Sequence, residues 1–221
     1  MRRGSKPKGK VSIVWSTEFA YAIGLITADG CLSKDRRHID FTSKDKDLVL
    51  LFRKCLGITT KVSKKYSGAG NLCYHTQFGD VLFYGFLEKI GLSAAKSKTL
   101  SSLHIPDKYF IDFLRGYFDG DGTSYSYYDP VFKKSFRFYI SFASASPAFF
   151  VWLRAKMENN IGIEGSVIQR KGVPHVQLRY AKKATIMLCE RMYEKNNAPH
   201  LRRKRLKILK SMRIIEASKA R

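Results

Sequence analysis

Leu114-Arg115-Gly116-Tyr117-Phe118-Asp119-Gly120-Asp121-Gly122 decides the reading of this chain, because Ala22-Ile23-Gly24-Leu25-Ile26-Thr27-Ala28-Asp29-Gly30 has the same design about half the chain earlier. Each stretch closes a helical run with Asp-Gly. Small residues recur four apart, at Ala20, Gly24 and Ala28 in one and at Gly116 and Gly120 in the other. Such a stripe lets two helix backbones come closer than the usual spacing of about 8–10 Å. If the stripes face each other, Asp29 and Asp121 emerge side by side at two helix C-termini. The helix dipole and mutual repulsion both oppose ionisation there. A hard divalent cation resolves that conflict, and Mg²⁺ keeps waters and engages phosphate oxygens. One acid from each half with a phosphate between them suits metal-assisted phosphodiester hydrolysis. The plainer reading is that Asp-Gly only ends a helix and opens a turn. Its occurrence twice, in a duplicated and strongly basic chain, argues for the chemistry.

Outward from the motifs, the element order repeats. Ser16 to about Ala28 reads as a helix with Ser16 as N-cap and Glu18 in its first turn. Strand patterns follow at His38–Thr42, Lys61–Tyr66 and Leu72–Phe78, with helices at Lys46–Leu56 and Asp80–Ile90. The second copy predicts a helix at Asp107–Phe118 and strands at Ser124–Tyr128 and Phe136–Phe142. A helix at Ser146–Ile161, strands at Val167–Arg170 and Val176–Tyr180, and helices at Ala184–Lys195 and Arg203–Ile215 complete it. The unit helix–strand–strand–helix–strand–strand–helix therefore occurs twice, an internal duplication. Its halves are 13–104 and 105–221, divided at His104-Ile105-Pro106, after a flexible basic arm over 1–12.

The 221 residues hold 41 Lys+Arg against 18 Asp+Glu, a net charge of +23. That excess suits a polyanion, nucleic acid before an anionic membrane surface. With 44% hydrophobic and 13% aromatic residues, the chain is no disordered basic tail. No apolar run is long enough to span a membrane, and no apolar signal core follows the basic N-terminus. Cys31, Cys55, Cys73 and Cys189 form no CxxC pair, which argues against a zinc ribbon or a disulfide framework.

The two motif segments resemble the LAGLIDADG motif of homing endonucleases (meganucleases), in the single-chain form with two motifs. The resemblance runs from about Val11 to Ile215 and includes Thr42-Ser43-Lys44-Asp45 at the opening of the helix after the second strand. The first motif departs at its sixth position, where Thr27 stands for the usual Asp. The later acid, Asp29 or Asp121, is the one that holds metal. The resemblance implies an α+β fold of two αββαββα half-domains related by a pseudo-twofold axis. Their antiparallel sheets would form a saddle over duplex DNA. It implies a site-specific double-strand endonuclease that acts on a long asymmetric site and leaves 3′ overhangs. No splicing block flanks the core, so a free-standing enzyme is expected rather than an intein.

The expected metal set is Asp29 and Asp121 with Ala28 and Gly120 beside them. Mg²⁺ is the expected ion, Mn²⁺ its substitute, and Ca²⁺ should permit binding without cleavage. The family's supporting lysine falls at Lys98 and Lys204, with Lys96 as the rival in the first half. Ser43 and Ser144 occupy the places where the family has a water-ordering polar residue, and Asp119 reads as a turn or packing residue. Base readers are expected on the polar side of each strand alternation, since a β-ribbon fits the major groove. In the first half these are Arg36, His38, Asp40, Thr42, Lys61, Ser63, Lys65, Tyr74 and Thr76, with Cys73 and His75 as the alternative parity. In the second they are Ser124, Ser126, Tyr128, Arg137, Tyr139, Ser141, Arg170, Gln177 and Arg179. The basic run Leu201–Arg213 reads as a phosphate-tracking helix. A monomer acting on double-stranded DNA is expected, inside the cell, in a bacterial or archaeal cytoplasm or an organelle. Two rival readings use the same surface: an RNA maturase acting on intron RNA, and a DNA-binding protein of this fold that does not cut.

Overall fold

Helix α1 (Thr17–Asp29) opens where Ser16 accepts a hydrogen bond from the Phe19 amide at 3.1 Å. The computed structural model describes residues 9–96, 98–169, 172–173 and 175–219. After α1 come β1 (Gly30–Leu32), β2 (His38–Ser43), α2 (Lys46–Leu56), β3 (Ser63–Tyr66), β4 (Leu72–Gly79) and α3 (Val81–Lys89). The second copy follows as α4 (Phe110–Asp121), β5 (Thr123–Tyr128), β6 (Phe136–Ser144), α5 (Pro147–Ile161), β7 (Ser166–Gln169) and β8 (Val176–Tyr180). Helices α6 (Lys182–Tyr193) and α7 (Arg202–Lys219) close the chain. The short β1 is an element the strand patterns did not reveal. Its three residues are too few to show an alternation.

The fold is α+β. Each half builds a four-stranded antiparallel sheet, with orders β1-β2-β4-β3 and β5-β6-β8-β7. The identical order in the two halves is the structural form of the repeat. Alternation gives each sheet one apolar face. Ile39, Phe41 and Phe78 line it in the first half, and Phe138, Ile140, Phe142 and Leu178 in the second. Helices cover those faces, α2 and α3 on one sheet and α5 and α6 on the other. Phe41 stacks on Phe52 of α2 with ring centroids 4.5 Å apart. Both α2 and α5 stop at a left-handed glycine, Gly57 (φ 65°) and Gly162 (φ 73°), where a side chain would be strained.

Between the halves lies the α1–α4 pair, the most extensively packed pair of elements. Phe19 to Thr27 and Phe110 to Asp119 are buried almost throughout, as expected for helices enclosed on every side. Residues 1–8 of the expected arm lie outside the described residues. Lys10 and Val11 were read with that arm, but their amides are bound at 2.5 and 3.0 Å by Asp80, and Val11 is buried. The same carboxylate caps α3 through the Phe83 amide.

Candidate active site and nucleic-acid face

The glycines of the two motifs set the geometry. A Cβ on Gly24 would sit 2.1 Å from the Phe113 carbonyl oxygen, and one on Gly116 would sit 2.0 Å from that of Tyr21. A Cβ on Gly120 would lie 2.3 Å from the Ala28 Cβ and 3.2 Å from Asp29 Oδ2. The helices therefore meet backbone to backbone, and their last residues, Asp29 and Asp121, come together. Both residues keep solvent access, but their carboxylates stand in a recess crowded by protein. Crowding and the neighbouring Asp121 charge push the Asp29 carboxyl up to about 6, against the pull of Lys204 and Lys96. Crowding also raises Asp121, with the same two lysines opposing it. Among the described residues, neither carboxylate forms a hydrogen bond or an ion pair. Two such acids in a chain of net charge +23 are a donor set of hard oxygens. No group of three or more His, Cys, Asp or Glu suited to a metal occurs among the described residues. The residues thus fit a hard cation that takes few protein ligands and keeps its waters, such as Mg²⁺ or Mn²⁺.

Lys204 on α7 reaches this recess. Its Nζ donates to the carbonyls of Phe118, Gly120 and Gly122 at 2.7, 2.9 and 2.7 Å, closing the C-terminus of α4. Burial lowers its pKa to about 8. The Gly120 carbonyl, expected in the metal set, is therefore already an acceptor for Lys204. In the first half the matching place is taken by Lys96, which is buried and donates to the Gly30 carbonyl. Burial lowers its pKa as well. Lys98, preferred from the sequence, is exposed and is not among the charges acting on either acid. Ala95, just before Lys96, has a positive φ of 56°. Asp119 is buried. Its Oδ2 accepts from Tyr21 OH at 2.7 Å and from the Leu201 amide at 2.6 Å, and burial raises its pKa. It thereby fixes the start of α7, three residues before Lys204. The matching Thr27 donates only to the Ile23 carbonyl of its own helix. Ser43 and Ser144 accept from the Asp45 and Ser146 amides, fastening the turns that enter α2 and α5.

Strand register settles which side chains face away from the helices. On the first sheet, His38, Asp40, Thr42, Ser63 and Lys65 do, and Lys61 is exposed just before β3. Tyr74 and Thr76 do not. Thr76 is buried and hydrogen-bonded to Thr60, while Cys73, His75 and Gln77 take the outward places. Asp40 accepts from Thr42 at 2.6 Å, pairs with His75 Nδ1 at 2.8 Å and meets Lys65 at 3.3 Å. Crowding would raise its carboxyl, but these three partners hold it below the usual range. Arg36 lies in the β1–β2 turn and is paired with Glu88 of α3 at 2.6 Å.

On the second sheet the β5 parity is the reverse of that expected. Ser124, Ser126 and Tyr128 lie on the inner side, where Ser126 meets Ser211 of α7 at 3.0 Å and Tyr128 packs on Phe136. Thr123, Tyr125 and Tyr127 face outward beside Arg137, Tyr139, Ser141, Gln177 and Arg179. The alternation of Ser and Tyr offered no clear apolar side. Packing chose the small serines for the interior, against α7. Arg170 lies outside the described residues. Helix α7 backs the inner side of β5, so its basic run does not extend the outward face, and Arg203 binds Asp45 of the first half at 2.8 and 2.5 Å.

Comparison with known proteins agrees with this architecture. Residues 16–91 match the family model described as a LAGLIDADG-like domain. No curated protein sequence matches the chain. Among solved structures, the I-LtrWI LAGLIDADG homing endonuclease bound to target DNA is similar, with a TM-score of 0.62 and 13% identity, over 93% of this chain and 91% of that one. Full-length WhiA from Thermatoga maritima gives 0.56 and 15%, over 95% and 69%. An I-DmoI variant in complex with its target DNA in the presence of Mn gives 0.53 and 16%, over 83% and 97%. At such identities the likeness is one of fold.

Proposed function

We propose that this chain of LAGLIDADG fold is a site-specific double-strand DNA endonuclease. It hydrolyses phosphodiesters with a divalent metal at a long asymmetric site and leaves 3′ overhangs. The observation that carries the reading is the pair of carboxylates Asp29 and Asp121, one from each half, unpartnered among the described residues, each with a lysine bound to the carbonyls at its helix end. The two outward sheet faces and the net charge of +23 support duplex DNA as the partner. We take the halves as 13–104 and 105–221 and the protein as a monomer, because one chain supplies both acids.

Asp29 and Asp121 would hold the metal, with the Ala28 and Gly120 carbonyls beside them. The chemistry a divalent cation supplies there is activation of water and of the phosphate. Lys96 and Lys204 place ammonium charge next to the recess, where it favours the more negative phosphorane over the ground state. The outward faces would position the duplex across the acids.

The test selects duplexes from a randomised library in Ca²⁺, then adds Mg²⁺ and sequences the ends. One long site, cut on both strands with a fixed stagger, is expected. Asp29→Asn and Asp121→Asn should each abolish double-strand cutting while specific binding persists. Tight binding without any cutting would instead establish a non-cleaving DNA-binding protein. No specific duplex at all would turn the search to intron RNA.

A further inference from the structure

The two outward faces differ in kind. On the first sheet, charged groups hold one another in place around Asp40. On the second, three tyrosines form a ladder: Tyr125 stacks on Tyr139 at 5.1 Å and Tyr127 at 6.2 Å, with planes tilted by 21° and 22°. The rings occupy one another's faces and present their edges. A phenolic hydroxyl both donates and accepts, so such an edge meets most base edges equally well. A tyrosine ladder therefore supplies area and rigidity but little discrimination.

Among the described residues, two arginines share that face. Arg137 is committed to Asp129, with contacts at 2.9 and 2.8 Å to Oδ2, and so serves the β5–β6 turn. Arg179 is different. Its guanidinium lies over the Tyr139 ring, 5.2 Å from the centroid, and makes no hydrogen bond or ion pair among the described residues. Its neighbours across the sheet are Ser141 and Ser166, which are too small to cover it. Stacking fixes the plane of the guanidinium and leaves its donors free. A flat, donor-only fork of this kind matches the O6 and N7 acceptors of guanine in the major groove.

We infer that Arg179, braced against the Tyr139 ring, is a strict base reader of the second sheet and that its partner is a guanine. The inference rests on the duplex-DNA reading above. The register also places that guanine. The row Thr123–Ser141–Arg179–Ser166 begins two residues after Asp121, so the base lies in the inner part of its half-site. Tyr139 is a positioning residue, acting through Arg179.

The experiment repeats the Ca²⁺ selection with the full chain and four variants. The unaltered protein should demand guanine at one inner position of one half-site. Arg179→Ala should relax that position by about 5- to 150-fold in relative affinity and leave the other positions as they were. Arg179→Lys keeps the charge but loses the fork, and should relax it too. Tyr139→Phe should retain the preference, and Tyr139→Ala should weaken it at the same position. A uniform loss of affinity across all sequences in Arg179→Ala would make Arg179 a phosphate contact and overturn the inference. So would an undiminished guanine preference in both Arg179 variants. If the unaltered protein prefers no duplex at all, the DNA reading itself fails and takes this inference with it.

Discussion

Asp29 and Asp121 bear like charge in one recess, and that has a measurable sign. With Asp29 raised from 3.8 to about 6, the folded protein holds a proton there that the unfolded chain has released. Between those values the folded state binds more protons, so in metal-free protein this group's contribution to stability falls as pH rises. Carboxyl-resolved NMR titration in a chelator should find the Asp29 midpoint near 6, and Asp121→Asn should lower it by removing the repelling charge. A midpoint in the ordinary carboxylate range would refute the crowded pair. The two acids were legible because Asp-Gly closes two similar helices. That Lys96 is buried and Lys98 exposed was not legible, since the positive φ at Ala95 is not written in any periodicity. Asp119 reads as packing in the sequence. Its hold on the Leu201 amide needed the return of α7 to the motif, which no local pattern encodes.

Among the elements, the α1–α4 contact is the most exacting. A methyl group on Gly116 or Gly24 would meet main-chain oxygen at about 2 Å, and backbone cannot rotate away as a side chain can. Gly116→Ala should therefore destabilise the protein by at least about 3 kcal/mol in denaturant unfolding, beyond the usual cost of an overpacked core. The helices were legible because apolar residues recur at helical spacing and glycines stop them at Gly57 and Gly162. The strands in mixed polar and aromatic runs were less so. In Thr123–Tyr128 both serine and tyrosine tolerate either side, and only tertiary packing, with Ser124 buried and Ser126 on Ser211, separates them. Thiol labelling should make this visible: Thr123→Cys should react readily, and Ser124→Cys should be protected. The reverse order would restore the parity expected from the sequence.

For the whole molecule, charge governs. On the proposed reading, a duplex lying across both sheets of a protein at +23 would displace condensed counterions as it bound. If the protein neutralises about 6–10 phosphates, affinity should fall by about 10³–10⁵ between roughly 50 and 200 mM salt, linearly in log–log form. A flat salt response would point to a partner other than a polyanion. The ion pair from Arg203 to Asp45 bridges the halves at the surface, but exposed pairs of this kind add at most about 1 kcal/mol. The halves are joined instead through the glycine-lined helices, and that contact raises a matter of mate choice. Bare backbone does not distinguish one such helix from another, so the choice of mate falls to the side chains beside the stripe. Tyr21 and Asp119 break the tie. In an α1–α1 pair Tyr21 would face Thr27, and in an α4–α4 pair each buried Asp119 would face Phe113. The unlike pair joins the Tyr21 hydroxyl to the Asp119 carboxylate, at 2.7 Å, and adds a longer bond from Thr17 to Asp112, at 3.3 Å. A duplicated chain, whose halves could each have courted their own kind, thus carries between its central helices hydrogen bonds that tell self from sibling.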